Sequence, residues 1–185
     1  ATGVFGGTGA GVVSKYGLGD CVFVQMGTLG KALGGFGAYV AGSRALRELL
    51  INRCRSFIFT TALPPAIMAM AIAAIDLVAG EPERRERLWE NCRFLSDGLK
   101  RLGFELNDLQ SPILPLIIGD AESCMQFSQK LLEHGVFVQG IRPPTVPRGT
   151  SRLRITVMAT HEREHIERAL EVFQEMKHQN GGLLR

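Results

Sequence analysis

Gln25-Met26-Gly27-Thr28-Leu29-Gly30-Lys31-Ala32-Leu33-Gly34-Gly35 places one lysine in a glycine-rich run that begins at the end of the apolar segment Val22 to Met26. The apolar segment predicts a buried strand, and the run behind it predicts a turn. A lysine amine attacks a carbonyl only when unprotonated, and the reference pKa of lysine is about 10.4. Burial or nearby positive charge frees such an amine for imine chemistry. Glycines let a ligand approach the backbone closely. Thr28 stands three residues before Lys31, a spacing that on a turn brings its hydroxyl toward the same ligand. A nucleotide phosphate loop is disfavoured: Ala32 follows the lysine where Ser or Thr is needed, and Gln25 stands where the first glycine belongs. Composition alone leaves Lys31 readable as an exposed loop lysine.

Downstream, Ala38 to Ala41 predicts a second strand, and Ser43 an N-cap for a helix through about Arg53 with Leu46, Leu49 and Leu50 on one face. Ser56 to Thr61, carrying Phe57, Ile58 and Phe59, predicts a further strand. Pro64-Pro65 opens an apolar helix through about Ala79. Strands alternating with helices point to an α/β layer architecture. Gly80-Glu81-Pro82 then breaks the chain and its composition changes, which sets a domain boundary near residue 80. Beyond it the expected order is helix (83–102), strand (113–118), helix (121–134), strand (136–139), strand (152–157) and helix (161–178), a small α+β domain. Pro115 predicts an edge or a bulge in its strand, and Gly135 a helix C-cap.

The 185 residues suffice for one sizeable core. A net charge of +3, from 21 basic and 18 acidic residues, gives no dominant cationic block, so nucleic acid is not favoured as a partner. Arg84, Arg85 and Arg87 alternate with Glu81, Glu83 and Glu86 and read as a solvated helix face. Cys21, Cys54, Cys92 and Cys124 lack metal-ligand spacing. No metal is expected, and the four read as reduced thiols of a cytoplasmic protein. The most apolar run, 66–79, contains Asp76 and falls short of the ~18 residues that span a bilayer.

Thr28 to Gly34 resembles the segment of the α-oxoamine synthases that holds pyridoxal phosphate (PLP) on its lysine. These are fold-type I enzymes that condense an amino acid with an acyl thioester. Three more segments carry the resemblance in the same order. Ala1 to Gly6 is similar to the stretch after the family's Asp-x-Ala-His. Phe59-Thr60-Thr61-Ala62-Leu63-Pro64-Pro65 is similar to a segment that helps bind the cofactor phosphate across a homodimer. Arg152 to Thr156, followed by His161, is similar to the C-terminal strand and helix. Ile141 to Thr150 is similar to the run of those members that join L-alanine to a pimeloyl thioester.

The resemblance implies a C-terminal part (1–80) of a large PLP-binding domain followed by a small α+β domain (81–185). It implies Lys31 as catalytic lysine and cofactor anchor, with Thr28, Thr60 and Thr61 at the phosphate. It implies Thr145 at the substrate and Arg154 on the amino-acid carboxylate. Alternation puts Arg152 and Arg154 on one face, so pattern does not choose between them. His161 reads as a helix-start residue. The family's Asp and His would precede Ala1, so the chain resembles a C-terminal half, and these residues alone are not expected to catalyse. The alternatives are a glycine-using member, making 5-aminolevulinate or 2-amino-3-oxobutyrate, and a non-catalytic dimerisation module of the same fold.

Overall fold

The computed structural model describes residues 1–179. They divide into two compact units, the first Ala1–Arg85 and the second beginning at Glu86.

The first unit opens on a glycine loop and the single-turn helix α1 (Val12–Lys15). It continues with β1 (Val24–Thr28), β2 (Ala38–Gly42), α2 (Arg44–Arg53), α3 (Arg55–Ile58) and α4 (Pro65–Gly80). β1 and β2 pair antiparallel, with Val24 opposite Gly42 and Thr28 opposite Ala38. The expected N-cap is present: the Ser43 hydroxyl accepts from the Leu46 amide at 3.2 Å. Pro65 sits in the first turn of α4, where its missing N–H costs nothing. The strand expected at 56–61 is absent. Residues 55–58 close a helical turn instead, with the amides of Ile58 and Phe59 donating to the carbonyls of Cys54 and Arg55. These local bonds satisfy donors that would otherwise need a neighbouring ladder.

Apart from Asp76, α4 is apolar all round, yet only Ala71 is buried in it. Ile72 and Ile75 are more than half exposed, and Met68, Met70 and Leu77 are also open. The unit's small core is Leu29, Leu33 and Ala71, with Tyr39, Ala74 and Val78 packed against them. Arg85 departs from the solvated-face expectation. It is half-buried, and its guanidinium donates to the carbonyls of Val78 and Gly7. That guanidinium fixes the end of α4 to the glycine loop.

The second unit contains most of α5 (Glu83–Arg101), then β3 (Ile113–Gly119), α6 (Ala121–Glu133), β4 (Gln139–Ile141), β5 (Ser151–Thr156) and α7 (Arg163–Gln179). The sheet order is β3-β5-β4, antiparallel throughout. β3 is therefore an edge, which tolerates Pro115, and its register shifts between Ile117 and Gly119. Strand β4 begins later than expected. The amides of Gly135 and Val136 return to the carbonyls of Leu132 and Leu131, a Schellman cap with Gly135 at φ +83°. The Ser128 hydroxyl then takes the Val138 carbonyl. These bonds occupy backbone groups of residues 136–138, so the ladder starts only at Gln139.

One face of this sheet carries Leu114, Leu116, Leu153 and Ile155 into a core shared with Leu95 and Leu99 of α5, Phe127 and Leu131 of α6, and Phe173 and Met176 of α7. Phe173 receives Phe104 and Phe127 edge to face, at centroid distances of 5.7 and 5.9 Å. Lys177 closes the C-terminus of α5 by donating to the carbonyls of Leu102 (2.6 Å) and Gly103 (3.0 Å). No single helix among the described residues is long and apolar enough to cross a membrane.

Candidate active site

Lys31 lies between β1 and β2 on a turn built from its own backbone. The Leu29 amide donates to the Gly37 carbonyl at 2.9 Å, the Gly35 amide to Leu29 at 2.7 Å, and the Gly34 amide to Lys31 at 2.9 Å. Gly34 takes φ +60°, which a side chain would strain. Leu29 and Leu33, two residues either side of the lysine, are both buried against α4, whereas Lys31 is exposed. The two leucines act as pegs, and the bends and turn over residues 29–33, where strand alternation no longer applies, leave the lysine outside. The burial that the isolated sequence offered as one way to activate Lys31 is not provided within this unit. What the unit provides is a lysine whose backbone is fixed by the turn and whose exposed amine has no hydrogen-bond or ion-pair partner among the described residues.

The glycine loop packs beside this turn. A Cβ on Gly3 would lie 3.3 Å from the Ala32 Cβ, so the two backbones approach as closely as glycine allows. The loop is knitted by bonds from the Gly3 amide to Gly9 (2.7 Å) and from the Gly11 amide to Phe5 (2.8 Å). Thr2 Oγ1 and the Tyr39 hydroxyl are 2.9 Å apart. Tyr39 lies directly opposite Gly27 in the ladder, and a Cβ on Gly27 would come within 2.5 Å of the tyrosine ring. Neither Tyr39 nor Thr2 is marked by any local motif. Their partnership spans 37 positions and becomes visible only with the strand register.

Thr28 ends β1 and is exposed. Thr60 and Thr61 are exposed on the irregular segment between α3 and α4. All three hydroxyls belong to the same unit as Lys31. Thr145 and Arg154 belong to the second unit. Thr145 is exposed on the nine-residue connection between β4 and β5, where its amide donates to the Arg142 carbonyl at 3.1 Å.

Arg154 occupies the central strand of its sheet, flanked by Pro115 on β3 and Gln139 on β4. The structure separates the two arginines that strand alternation left equivalent. Arg152 is half-buried and donates from Nε to the Thr150 carbonyl at 3.0 Å. Arg154 is exposed and carries no hydrogen bond or ion pair among the described residues, so its full fork is available to a carboxylate.

His161 precedes α7 as expected. Its Nδ1 accepts from the Met158 amide at 3.3 Å, and burial, with the charge of His165 second, pushes it below the ordinary histidine range. A cavity of about 260 Å³ opens between residues 103–107 and β3, and none of the six candidate residues lines it.

Residues 1–173 match the family described as aminotransferase class I and II. Among curated proteins, the chain is 52% identical over 172 residues to 8-amino-7-oxononanoate synthase of Trichlorobacter lovleyi, covering 92% of this chain and 44% of that protein. It is 50% identical over 176 residues to the enzyme of the same name from Anaeromyxobacter dehalogenans, covering 95% and 44%. The chain thus spans less than half the length of these curated relatives.

Among solved structures, serine palmitoyltransferase of Sphingomonas wittichii superposes with a TM-score of 0.92 at 33% identity, over 98% of this chain and 46% of that one. An SPT structure with PLP gives 0.93 at 36%, covering 98% and 46%. The 8-amino-7-oxononanoate synthase of Francisella tularensis gives 0.83 at 30%, covering 97% and 53%. The α/β transferase fold expected from the sequence agrees with these likenesses.

Proposed function

Because the chain belongs to the aminotransferase class I and II family, we propose that it serves a PLP-dependent acyltransferase that condenses L-alanine with a pimeloyl thioester. The product is 8-amino-7-oxononanoate, with loss of carbon dioxide, on the route to biotin. The observation that carries this reading is the Lys31 turn, which presents an unpartnered amine between two buried leucines. Its setting is about 50% identical to relatives bearing that enzyme's name.

The residues present fit the cofactor. Lys31 offers a free amine for its aldehyde, and the exposed hydroxyls of Thr28, Thr60 and Thr61 offer donors for its phosphate. Bound PLP supplies an electron sink for the amino-acid Cα. Lys31 would hold the cofactor through its amine, and the same amine is placed to move the Cα proton of the amino acid. Arg154 grips the alanine carboxylate with two parallel N–H···O bonds and so orients the Cα–H bond. Thr145 contacts the substrate.

The first unit acts as part of a larger cofactor-binding domain, and the second is the small α+β domain that carries Arg154. The apolar girth of α4 supports that role, because a helix apolar all round is normally covered on every side. Thr60 and Thr61 serve the site of the other subunit in a homodimer. The four cysteines are all free thiols, in keeping with a cytoplasmic setting.

A substrate panel tests the reading. Protein carrying this sequence, loaded with PLP, is expected to consume L-alanine and a pimeloyl thioester in preference to glycine with succinyl or acetyl thioester, and Lys31→Ala to abolish the turnover. Preference for glycine would transfer the chain to the glycine-using members, and a Lys31→Ala variant with undiminished activity would overturn the assignment.

A further inference from the structure

We propose that Tyr39 is a positioning residue for Lys31, acting through its hydroxyl bond to Thr2. This inference rests on the reading of Lys31 as the lysine that takes PLP.

Three contacts converge on the one tyrosine. Its ring lies over Gly27 so tightly that no side chain is tolerated there, which locks Tyr39 to the strand leading into the lysine turn. The same ring packs on the cluster of Leu29, Leu33 and Ala71, the pegs on either side of Lys31. Its hydroxyl, 2.9 Å from Thr2 Oγ1, ties down the head of the glycine loop. Gly3, next in sequence, is the residue that presses on Ala32, the immediate neighbour of Lys31. Arg85 anchors the far side of the same loop at the Gly7 carbonyl, 3.1 Å away. The loop is therefore pinned at both ends with the lysine turn beneath it, and the Thr2–Tyr39 bond is the pin nearer the lysine.

Loss of that pin lets the loop lift from Ala32 and removes one wall of the space in which the Lys31 amine meets an aldehyde. The ring, and with it the leucine packing, stays in place when only the hydroxyl is removed. Tyr39→Phe thus separates the positioning effect from core filling, and Thr2→Val removes the same bond from the other end.

The chain supplies its own controls, because its lysines are Lys15, Lys31, Lys100, Lys130 and Lys177. The full chain is incubated with pyridoxal phosphate across a pH series and reduced with borohydride. The modified lysines are then quantified by peptide mass spectrometry. Wild type is expected to be modified at Lys31 ahead of the other four. Tyr39→Phe is expected to lower Lys31 modification about fivefold, the equivalent of one net hydrogen bond, and to shift its pH profile. Modification at Lys15, Lys100, Lys130 and Lys177 is expected to stay unchanged. Thr2→Val is expected to give the same loss, and the double variant no further loss, since both changes remove one interaction.

Equal Lys31 modification in Tyr39→Phe and wild type overturns the inference while leaving the PLP reading intact. Additive losses in the double variant overturn it as well, since two separate effects would then be at work. Absence of any Lys31 preference in wild type overturns the PLP reading itself.

Discussion

Phe173→Ala tests the packing of the second unit at its centre. Phe173 is 1% exposed and receives two rings edge to face, from Phe104 at 82° and Phe127 at 85°. Truncating a buried phenylalanine costs about 3–5 kcal/mol in lost transfer energy and residual cavity. Each edge-to-face pair contributes about 0.5–1.5 kcal/mol beyond area burial. Phe173→Leu retains most of the volume and forfeits both aromatic contacts, so its cost is about 1–3 kcal/mol. A domain of this size has a total stability of about 5–15 kcal/mol, so the alanine variant loses a large part of it.

The only tryptophan, Trp89, lies on α5 in this unit, so its fluorescence during urea unfolding reports on the unit without interference. With a slope of about 2 kcal/mol per molar urea, the alanine variant is expected to unfold about 2 M earlier and the leucine variant about 1 M earlier. A shift below about 0.5 M for alanine would refute the packing argument. Equal shifts for the two variants would refute the part assigned to the rings.

Three further outcomes follow from individual contacts. His161 is held below the ordinary histidine range chiefly by burial, so folding favours its neutral ring. The stability of the second unit is then full above about pH 6.5 and falls as acid is added through the histidine range; the Trp89 midpoint should drop between pH 7.5 and 5.5, and His161→Asn should flatten that drop. Cys92 is buried and its thiol is pushed up to about 11 by burial, while Cys21 is exposed. A thiol reagent at pH 8 should label Cys21 within minutes and reach Cys92 only in denaturant, and equal rates would contradict the core assignment. Ser43→Ala removes the hydroxyl that accepts the Leu46 amide. It should weaken α2 by about 1 kcal/mol, read as several-fold faster hydrogen exchange at Leu46; unchanged exchange there would show the cap to be idle.

Much of the fold was legible where a local rule had a local cause. Ser43, Pro65 and Gly135 each marked a helix end through a capping bond or a backbone angle that involves neighbours in sequence. The segment at 56–61 misled because its aromatic and β-branched residues satisfy a strand pattern, while a strand also needs a partner ladder that no residue count can supply. β4 was misplaced by three residues because Ser128, from the preceding helix, takes the Val138 carbonyl.

At the candidate site, Lys31 and Thr28 were proposed from spacing and resemblance, and Arg154 from resemblance alone. Strand alternation could not choose between Arg152 and Arg154, whereas the structure shows Arg152 already committed to Thr150. Tyr39 and Thr2 escaped notice, and Arg85 was read as a solvated face, for a related reason. Each works through a partner far away in sequence, and their residue types look ordinary on a strand, in a loop and on a charged helix.

The two leucines around Lys31 also bear on how this stretch tolerates change of length. Leu29 and Leu33 are each seated against α4, and three backbone bonds span the residues from 29 to 37. A single insertion or deletion there must unseat one leucine or break the bonds that close the turn. Point substitutions at Ala32 or Phe36 leave the spacing intact, whereas a change in length does not. The nine-residue connection from β4 to β5 has no such pegs, and only Arg152 and a few turn bonds brace it. Length variation among sequences of this kind should therefore collect between 142 and 150 and be purged between 29 and 37, even though both segments are surface loops by every local measure.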